Sequence, residues 1–384
     1  MNIILHDLEF FLDFAPLSFT RPIGNLRMGI FTNDERWRMF LPNASVSFCT
    51  ADYLNEKYAE QHSLDSLWVD ARVIPNRNLI NQLESLKEGF QLFVNNRFVA
   101  YRGGEYMSEG NRVDIQLENF IVIEDRWELY QKNDTVLKLD YELATKTMVS
   151  KTLPDSCKLI GPEEKLYISP SATVEGAIFN TTKGPIYIGE HAEVMEGTLI
   201  RGGLALCDHA VLKMGAKVYG ATTIGPHCKV GGEVNNVIFQ AYSNKGHDGF
   251  LGNSVIGSWC NLGADTNTSN LKNNYGVVKT YNYNKKAYIQ TDIQFMGIMM
   301  GDYAKCGINT MFNTAAVIGP GAVIFGSGFP PKHIKSFAWG GIDIDDKMVL
   351  NKVFEAAENM MSRRGLELTK HDKDILVKLH EMEL

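Results

Sequence analysis

An aliphatic residue stands at every sixth position of one uninterrupted stretch of this chain, from residue 188 to residue 230. An α-helix repeats its apolar face about every 3.6 residues and a β-strand every two, so a period of six fits neither as one continuous element. Hexapeptide repeats are a signature of the parallel β-helix, in which short strands meet at regular corners. The sequence therefore predicts a three-cornered prism filled by large aliphatic side chains. The residues of this series are Ile188, Val194, Ile200, Leu206, Leu212, Val218, Ile224 and Val230.

The repeat continues on both sides of this stretch and is interrupted twice. Ile168 and Val174 precede it, and a second run in the same register spans 300–324. The interruptions lie at about 235–255 and about 265–298. Insertions in a repeat array lie on its faces and often form binding sites. We expect the second insertion to pack over the prism of a neighbouring subunit, with a flexible surface flap as the alternative.

Composition and charge argue against several classes of function. A chain of 384 residues is too long for one compact core and suggests two or three domains. The net charge is −7 and no Lys/Arg run stands out, so we expect no nucleic-acid partner. We find neither a stretch long enough to span a membrane nor a signal peptide, and therefore expect a cytoplasmic protein without a membrane partner. The six cysteines are scattered, so we expect reduced core thiols and no metal site.

The first 153 residues differ from the repeat. Short apolar segments at 3–5 and 46–48 alternate with helical patterns, which indicates a small α/β domain. The loop that follows the first strand runs from Pro16 to Arg27. Loops at that edge of an α/β sheet commonly bind ligands, so this loop is the candidate site of the front domain.

The end of the chain follows a third pattern. Pro330 and Pro331 end the repeat because proline has no N–H to donate to a strand ladder. Two helices are predicted beyond them, and the first begins at Asp345 or Asp346 and ends at Arg363-Arg364. We expect these two arginines to interact with the dipole at the C-terminus of that helix. We therefore divide the chain into an α/β domain (1–153), a β-helix (154–328) and a capping segment (329–384).

The front loop resembles the nucleotide loop of the sugar nucleotidyltransferases. Thr20-Arg21-Pro22 stands where that family usually has Lys-Pro, although the Gly-rich turn that cradles phosphates and a Gly-Asp pair for magnesium are missing. The resemblance implies nucleotidyl transfer that requires Mg²⁺. A degenerate domain kept for folding or regulation is the alternative. The nucleotide-binding residues that the resemblance implies are Pro16, Leu17, Thr20, Arg21 and Arg27.

A second resemblance lies in the repeat. Gly246-His247, then 251–253, 261–266 and 268–271, resemble the acetyltransferase half of the bacterial bifunctional N-acetylglucosamine-1-phosphate uridyltransferase/glucosamine-1-phosphate acetyltransferase (GlmU-like) family. That family implies a left-handed β-helix, a homotrimer with grooves between prisms, and acetyl-CoA or another acyl-CoA as donor. The domain at 1–153 is shorter than a full nucleotidyltransferase domain.

The resemblance also implies roles for particular residues. His247 matches the catalytic base, and histidine has a suitable pKa for that work. Asn261 and Asn270 match residues that contact the amino sugar in that family. Ala264 matches a position where the thioester cofactor contacts the backbone. Lys245 is a candidate for binding phosphate or coenzyme A. The alternatives are that His247 is an ordinary exposed loop residue and that Asn261 is a turn residue, since asparagine tolerates a left-handed backbone.

The sequence thus predicts an α/β nucleotidyltransferase-like domain followed by a left-handed β-helix of hexapeptide repeats and C-terminal helices. The function it favours is transfer of an acyl group from acyl-CoA to an amino sugar or its phosphate. The alternatives are a sugar-1-phosphate nucleotidyltransferase acting through the front domain, and a non-catalytic protein that binds sugar nucleotides. Sugar phosphates or nucleotide sugars are the expected small-molecule partners.

Overall fold

The computed structural model describes residues 2–61, 63, 65–106, 110–344 and 346–382. Its front domain is built on a six-stranded sheet in the order β4-β1-β5-β8-β7-β9, in which β4, β1 and β5 are parallel. Short helical turns occur at Phe11–Asp13, Leu17–Thr20, Ile23–Asn25 and Asp52–Leu54. The strands are β1 (Asn2–His6), β2 (Arg27–Met28), β3 (Phe31–Thr32), β4 (Ser45–Cys49), β5 (Ser66–Asp70), β6 (Val73–Ile74), β7 (Phe90–Val94), β8 (Arg97–Arg102), β9 (Asn111–Ile115) and β10 (Ile121–Val122), and the helices are α1 (Asn33–Phe40), α2 (Arg77–Ser85), α3 (Glu128–Gln131) and α4 (Asn133–Thr145).

A parallel β-helix follows, and its strands stack on three sides. Ile188 pairs with Leu206 and Leu206 with Ile224, so residues three hexads apart lie one above the other on the same side. Side A consists of Leu166–Ile168, Ile186–Ile188, Leu204–Leu206, Thr222–Ile224, the second halves of Glu233–Phe239 and Phe250–Ile256, Met299–Met300, Val317–Ile318 and His333–Ile334.

The other two sides are assembled in the same way. Side B consists of Thr173–Val174, Glu193–Val194, Val211–Leu212, Lys229–Val230, Asn244–Lys245, Asn261–Leu262, Lys305–Cys306, Val323–Ile324 and Ala338–Gly340, with Asp346–Lys347 antiparallel at its end. Side C consists of Lys158–Ile160, Ile178–Asn180, Leu199–Arg201, Lys217–Tyr219 and the first halves of Glu233–Phe239 and Phe250–Ile256, followed by the pair Asn267–Thr268 and Met311–Phe312.

The prism interior holds the side chains that the period predicted. All eight residues of the series from Ile188 to Val230 are at most 3% exposed and belong to one apolar cluster. Burying one such side chain contributes about 1.5–3 kcal/mol. The predicted fold class, an α/β domain followed by a parallel β-helix and C-terminal helices, is therefore confirmed.

The two interruptions differ from the prediction. Within 235–255, two long strands carry the chain from side C to side A, so most of this segment belongs to the prism. Within 265–298, the strands Lys279–Asn282 and Ala287–Gln290 form an antiparallel hairpin. Val278 and Met296, which flank the hairpin, are fully buried in the same cluster as the front domain. The second insertion therefore packs on the front domain of its own chain.

The front domain and the prism share one core. Ile238, Val255 and Met299 of side A lie in the apolar cluster of the front sheet. Polar contacts cross the same boundary: Asn133 donates to the Ala221 carbonyl at 2.9 Å. The front domain therefore completes its core with residues of the β-helix.

Two helices follow the prism, α5 (Leu350–Ser362) and α6 (Lys370–Glu381). The predicted start of α5 was wrong, because Asp346–Lys347 is a strand and the helix begins at Leu350, while Asp345 lies outside the described residues. Thr369 caps α6, since its side chain accepts from the Asp372 amide. In the described ranges, no helix is both long and apolar enough to cross a bilayer.

Candidate functional site

A groove of about 540 Å³ runs along side B of the prism and is bounded by the end of α5. It brings together three of the residues that the sequence singled out, His247, Asn261 and Ala264. The other lining residues are Lys213, Lys229, Tyr242, Asn244, Gly246, Trp259, Leu262, Gly263, Ile308, Met360, Arg363 and Arg364.

His247 lies on a tight turn that follows the strand Asn244–Lys245. Its side chain is exposed, and Gly249 two residues later has a left-handed φ of +111°. A Cβ on Gly249 would lie 2.2 Å from the Thr266 carbonyl oxygen, so the turn requires glycine there. The imidazole is therefore presented to the groove by a turn with little freedom to move.

Lys245 lies inside the prism beneath this turn, and its contact with substrate stays a prediction. It pairs with Val230 on side B and is 1% exposed. Its ammonium donates to the carbonyls of Gly231 at 3.3 Å, His247 at 2.9 Å and Asp248 at 3.2 Å. Burial lowers its pKa to about 8, and the Asp248 carboxylate opposes that shift. Lys245 therefore holds the histidine turn from within.

Two asparagines stand side by side on the groove wall. Asn244 and Asn261 are paired on adjacent strands of side B, and both line the groove. An asparagine side chain offers two N–H donors and one carbonyl acceptor, which suits the hydroxyl groups of a sugar. Asn270 lies outside this lining. It follows Asn267–Thr268 on side C, and its amide donates to Asn253 Oδ1 at 2.7 Å.

Four cations surround the groove. Lys213 and Lys229 come from successive turns of side B, and Arg363 and Arg364 from the end of α5. The described lining residues include no Asp or Glu. Burial lowers the pKa of Lys229, the nearby charges of Arg364 and Lys213 lower it further, and Glu193 opposes the shift. Four like charges held together around one groove make a site for an anion.

Local sequence patterns do not bring these four cations together. The sequence predicted that Arg363-Arg364 interacts with the helix dipole. In the structure both residues line the groove, and Arg364 Nη2 donates to the His227 carbonyl at 3.4 Å. Lys213 and Lys229 are sixteen residues apart in the sequence. Nearly one full turn of the prism separates them, and that spacing is the signal that could have placed them together.

Stacked rings form one wall of the groove. A column of aromatic side chains runs along one corner of the prism, in which each residue has a left-handed backbone. Tyr242 and Trp259 end this column with ring centroids 4.2 Å apart and planes 6° apart. Both rings line the groove. The column comprises His191, His209, His227, Tyr242 and Trp259.

The front loop does not form an open nucleotide site. Pro16, Leu17 and Thr20 are buried. Arg21 forms an ion pair with Asp302 of the prism. Arg27 is 8% exposed and its guanidinium donates to the Ile30 carbonyl and to Glu35. Four of the five residues are buried and Arg21 is half-buried, and nucleotide contacts by these five residues stay a prediction.

The unpartnered polar atoms at the carboxyl edge of the parallel strands include His6 Nε2 and Asp7 Oδ1, in side chains that are 6% and 0% exposed, and Thr50 Oγ1. Burial raises the pKa of Asp7 to about 7. The Asp70 carboxylate is engaged by Arg72 at 2.7 Å, and Asp7 Oδ2 accepts from the Ile23 amide. Among the residues described at this edge, the carboxylates do not form a free pair, so they do not fit Mg²⁺.

Possible ligands for a cation occur elsewhere, on the surface between the front domain and α6. Glu56, His371 and Asp374 place three donor atoms within 4.8 Å of one another, and all three residues are exposed. This cluster contains none of the residues that line the groove.

The fold and groove define a two-part architecture, an α/β domain joined to a parallel β-helix with a cationic groove. Residues 3–149 match the family described as sugar nucleotidyl transferase. The chain is similar to the bifunctional protein GlmU of Methanocaldococcus jannaschii, with 31% identity over 104 residues, which are 27% of this chain and 25% of that protein. The alignment thus spans a quarter of that relative. Both matches support the GlmU-like family that the motifs indicated.

Three solved structures with similar parts are described as acetyltransferases or acyltransferases. The polySia-specific acetyltransferase NeuO aligns with 12% identity, a TM-score of 0.26, and coverage of 54% of this chain and 94% of that one. AntD, an N-acyltransferase from Bacillus cereus, aligns with 10% identity, a TM-score of 0.24, and coverage of 54% and 92%. UDP-N-acetylglucosamine acyltransferase from Campylobacter jejuni aligns with 15% identity, a TM-score of 0.25, and coverage of 56% and 96%.

Proposed function

We propose that this protein transfers an acyl group from acyl-CoA, with acetyl-CoA as the leading donor, to the amino group of a sugar or sugar phosphate. The observation that carries the proposal is the 540 Å³ groove, in which an exposed histidine and two asparagines face four cations. The motif resemblance of 246–270 supports the same reaction.

The residues of the groove suit the steps of this reaction. The amine nitrogen attacks the thioester carbonyl, a new C–N bond forms, and the C–S bond breaks to release the thiol of coenzyme A. The His247 imidazole takes the proton that the amine loses. The asparagine pair, Asn244 and Asn261, orients sugar hydroxyls so that the amine faces the carbonyl. Lys213, Lys229, Arg363 and Arg364 attract the phosphates of the donor.

A ligand panel followed by thermal unfolding tests the proposal. A ligand that binds only the folded state at 100 times its Kd stabilises that state by about 2.7 kcal/mol. We expect acetyl-CoA and coenzyme A to raise the Tm, and radiolabelled acetyl to pass from acetyl-CoA to glucosamine 1-phosphate or a related amino sugar. A Tm unaffected by either CoA compound would contradict the proposal.

Nucleotidyl transfer by the front domain is a second candidate function. The family match over 3–149 and the unpartnered atoms of His6 and Asp7 at the sheet edge favour it. The engaged carboxylates and the buried front loop oppose it. UTP or dTTP with Mg²⁺ in the same panel separates the two functions, since only nucleotide binding would raise the Tm there. A protein that binds UDP-sugars without turnover is the third outcome.

We also propose a homotrimer in the cytoplasm, on the resemblance to the GlmU-like family. A molar mass near three times 43.0 kDa by light scattering would support this assembly. A mass of one or two chains would contradict it.

A further inference from the structure

A buried carboxylate of the prism contacts the front loop at Thr20 and Arg21. Asp302 is 3% exposed, and its Oδ2 accepts from the Thr20 hydroxyl at 2.7 Å and from Arg21 Nη2. Its Oδ1 accepts from the Ser258 amide at 2.7 Å. Arg21 Nη2 also donates to Ser258 Oγ at 2.9 Å. The front loop and Asp302 thus fix the residue that immediately precedes Trp259.

Trp259 and Tyr242 line two cavities. One is the groove along side B. The other has a volume of about 200 Å³, and its lining includes Arg21, Asp302 and the same two rings. The Trp259 ring stacks on Tyr242, and the Trp259 amide donates to the Ala241 carbonyl at 3.1 Å. The hydrogen bonds of Ser258, the preceding residue, to Asp302 and Arg21 link this wall to the front loop.

We propose that Arg21 and Asp302 are positioning residues for the Tyr242–Trp259 wall of the groove. The front loop then serves acyl transfer in the neighbouring domain, and its basic residue contacts a carboxylate of the prism in place of a nucleotide phosphate. This inference rests on the proposed function. Loss of Arg21 leaves the Asp302 charge buried beside Ser258, which frees the wall to shift toward the cavity and weakens donor binding.

Steady-state kinetics of the full chain with acetyl-CoA test this role. We expect Arg21→Gln to raise the KM for the donor by roughly 3- to 30-fold, the range measured for coupled positions outside a binding site, with a smaller effect on kcat. Arg21→Lys keeps the positive charge and is expected to restore part of the loss. Arg36→Gln is the control, because Arg36 forms a more deeply buried ion pair with Asp140 at 2.7 Å and its contacts lie within the front domain.

The possible outcomes separate this inference from the proposed function. If the wild type is active and Arg21→Gln has the same donor KM as the wild type, the inference is wrong and the proposed function stands. The same rise in KM in Arg36→Gln would also overturn it, since general destabilisation would then explain both. A wild type that neither binds nor uses acetyl-CoA would overturn the proposed function and the inference with it. If Arg21→Gln does not fold, Thr20→Val removes one hydrogen bond to Asp302 and is expected to raise the same KM.

Discussion

Lys245 occupies an interior position where other turns of the prism have an aliphatic residue. Its equivalents on side B are Val194, Leu212 and Val230, each eighteen residues apart, whereas Lys245 follows Val230 by fifteen. The period of six could not place Lys245 inside, because that turn of the prism is shorter. The cost of burying an ammonium is offset by its hydrogen bonds to three backbone carbonyls.

The buried ammonium predicts a pH dependence of stability. Burial lowers the folded-state pKa of Lys245 to about 8 from an ordinary value of 10.5. Between these values the unfolded chain retains a proton that the folded chain has released, so the free energy of unfolding rises with pH by about 3 kcal/mol. Lys245→Met lacks this rise, which urea unfolding at about pH 7 and about pH 10.5 would show as a difference from the wild type. Lys217→Met, on the exterior of side C, is the control, and parallel curves for wild type and Lys245→Met would contradict the prediction.

His247, on the same turn, is expected to act in the reaction and to contribute little to stability. Its side chain is exposed, so His247→Ala should change the free energy of unfolding by no more than about 0.5 kcal/mol. Acyl transfer should fall by about 100-fold or more, because the proton acceptor is gone. Acetyl-CoA binding, measured by calorimetry, should remain close to that of the wild type. If His247→Ala retained most of the activity, His247 would not be the proton acceptor of the reaction.

At the scale of elements, the groove exists because α5 ends against side B. The sequence could predict α5 from the spacing of Val353 and Ala357, which are buried. It could not predict where the helix packs, since nothing in a local pattern states which side of the prism receives it. The contacts of the hairpin at 279–290 were missed for the same reason. Arg126 of the front domain donates to Thr280 Oγ1 there at 3.2 Å, a contact between residues 154 positions apart.

The end of α5 predicts a charge-dependent affinity. Arg363→Gln with Arg364→Gln should weaken coenzyme A binding by about 10-fold or more, since a hydrogen bond between charged groups contributes about 1.5–3 kcal/mol. The loss should shrink at high salt, where exposed charges are screened. Lys352→Gln on the same helix is the matched control, because Lys352 pairs with Glu355 in solvent. Equal affinities of the double variant and the control would show that α5 takes no part in donor binding.

At the scale of the whole molecule, the two domains are not independent. The cluster of the front sheet includes Ile238, Val255 and Met299 from the prism, each fully buried. We therefore expect the front domain and the β-helix to unfold together, in one calorimetric transition. Residues 1–153 expressed alone should be unstable, because the apolar surface that faces the prism would be exposed. Two separate transitions in the full chain, or a stable isolated fragment, would contradict this coupling.

The sequence predicted the prism well but could not show the contacts of the front loop, for one physical reason. The period from Ile188 to Val230 is local, and eight repeated positions agree on one geometry. The partners of Arg21 are distant, since Asp302 lies 281 residues further along the chain. A basic residue after a first strand has the same local pattern whether it binds a phosphate or a carboxylate of another domain. The groove residues at 247, 261 and 264 came from motif spacing, whereas the cations around them depended on packing.

A crystal structure of the protein soaked with coenzyme A tests the central claim most directly. We expect the ligand in the groove between side B and α5, with its phosphates beside Lys213, Lys229, Arg363 and Arg364 and its thiol directed toward His247. Coenzyme A bound at another place, with this groove left vacant at saturating ligand, would contradict acyl transfer at this site.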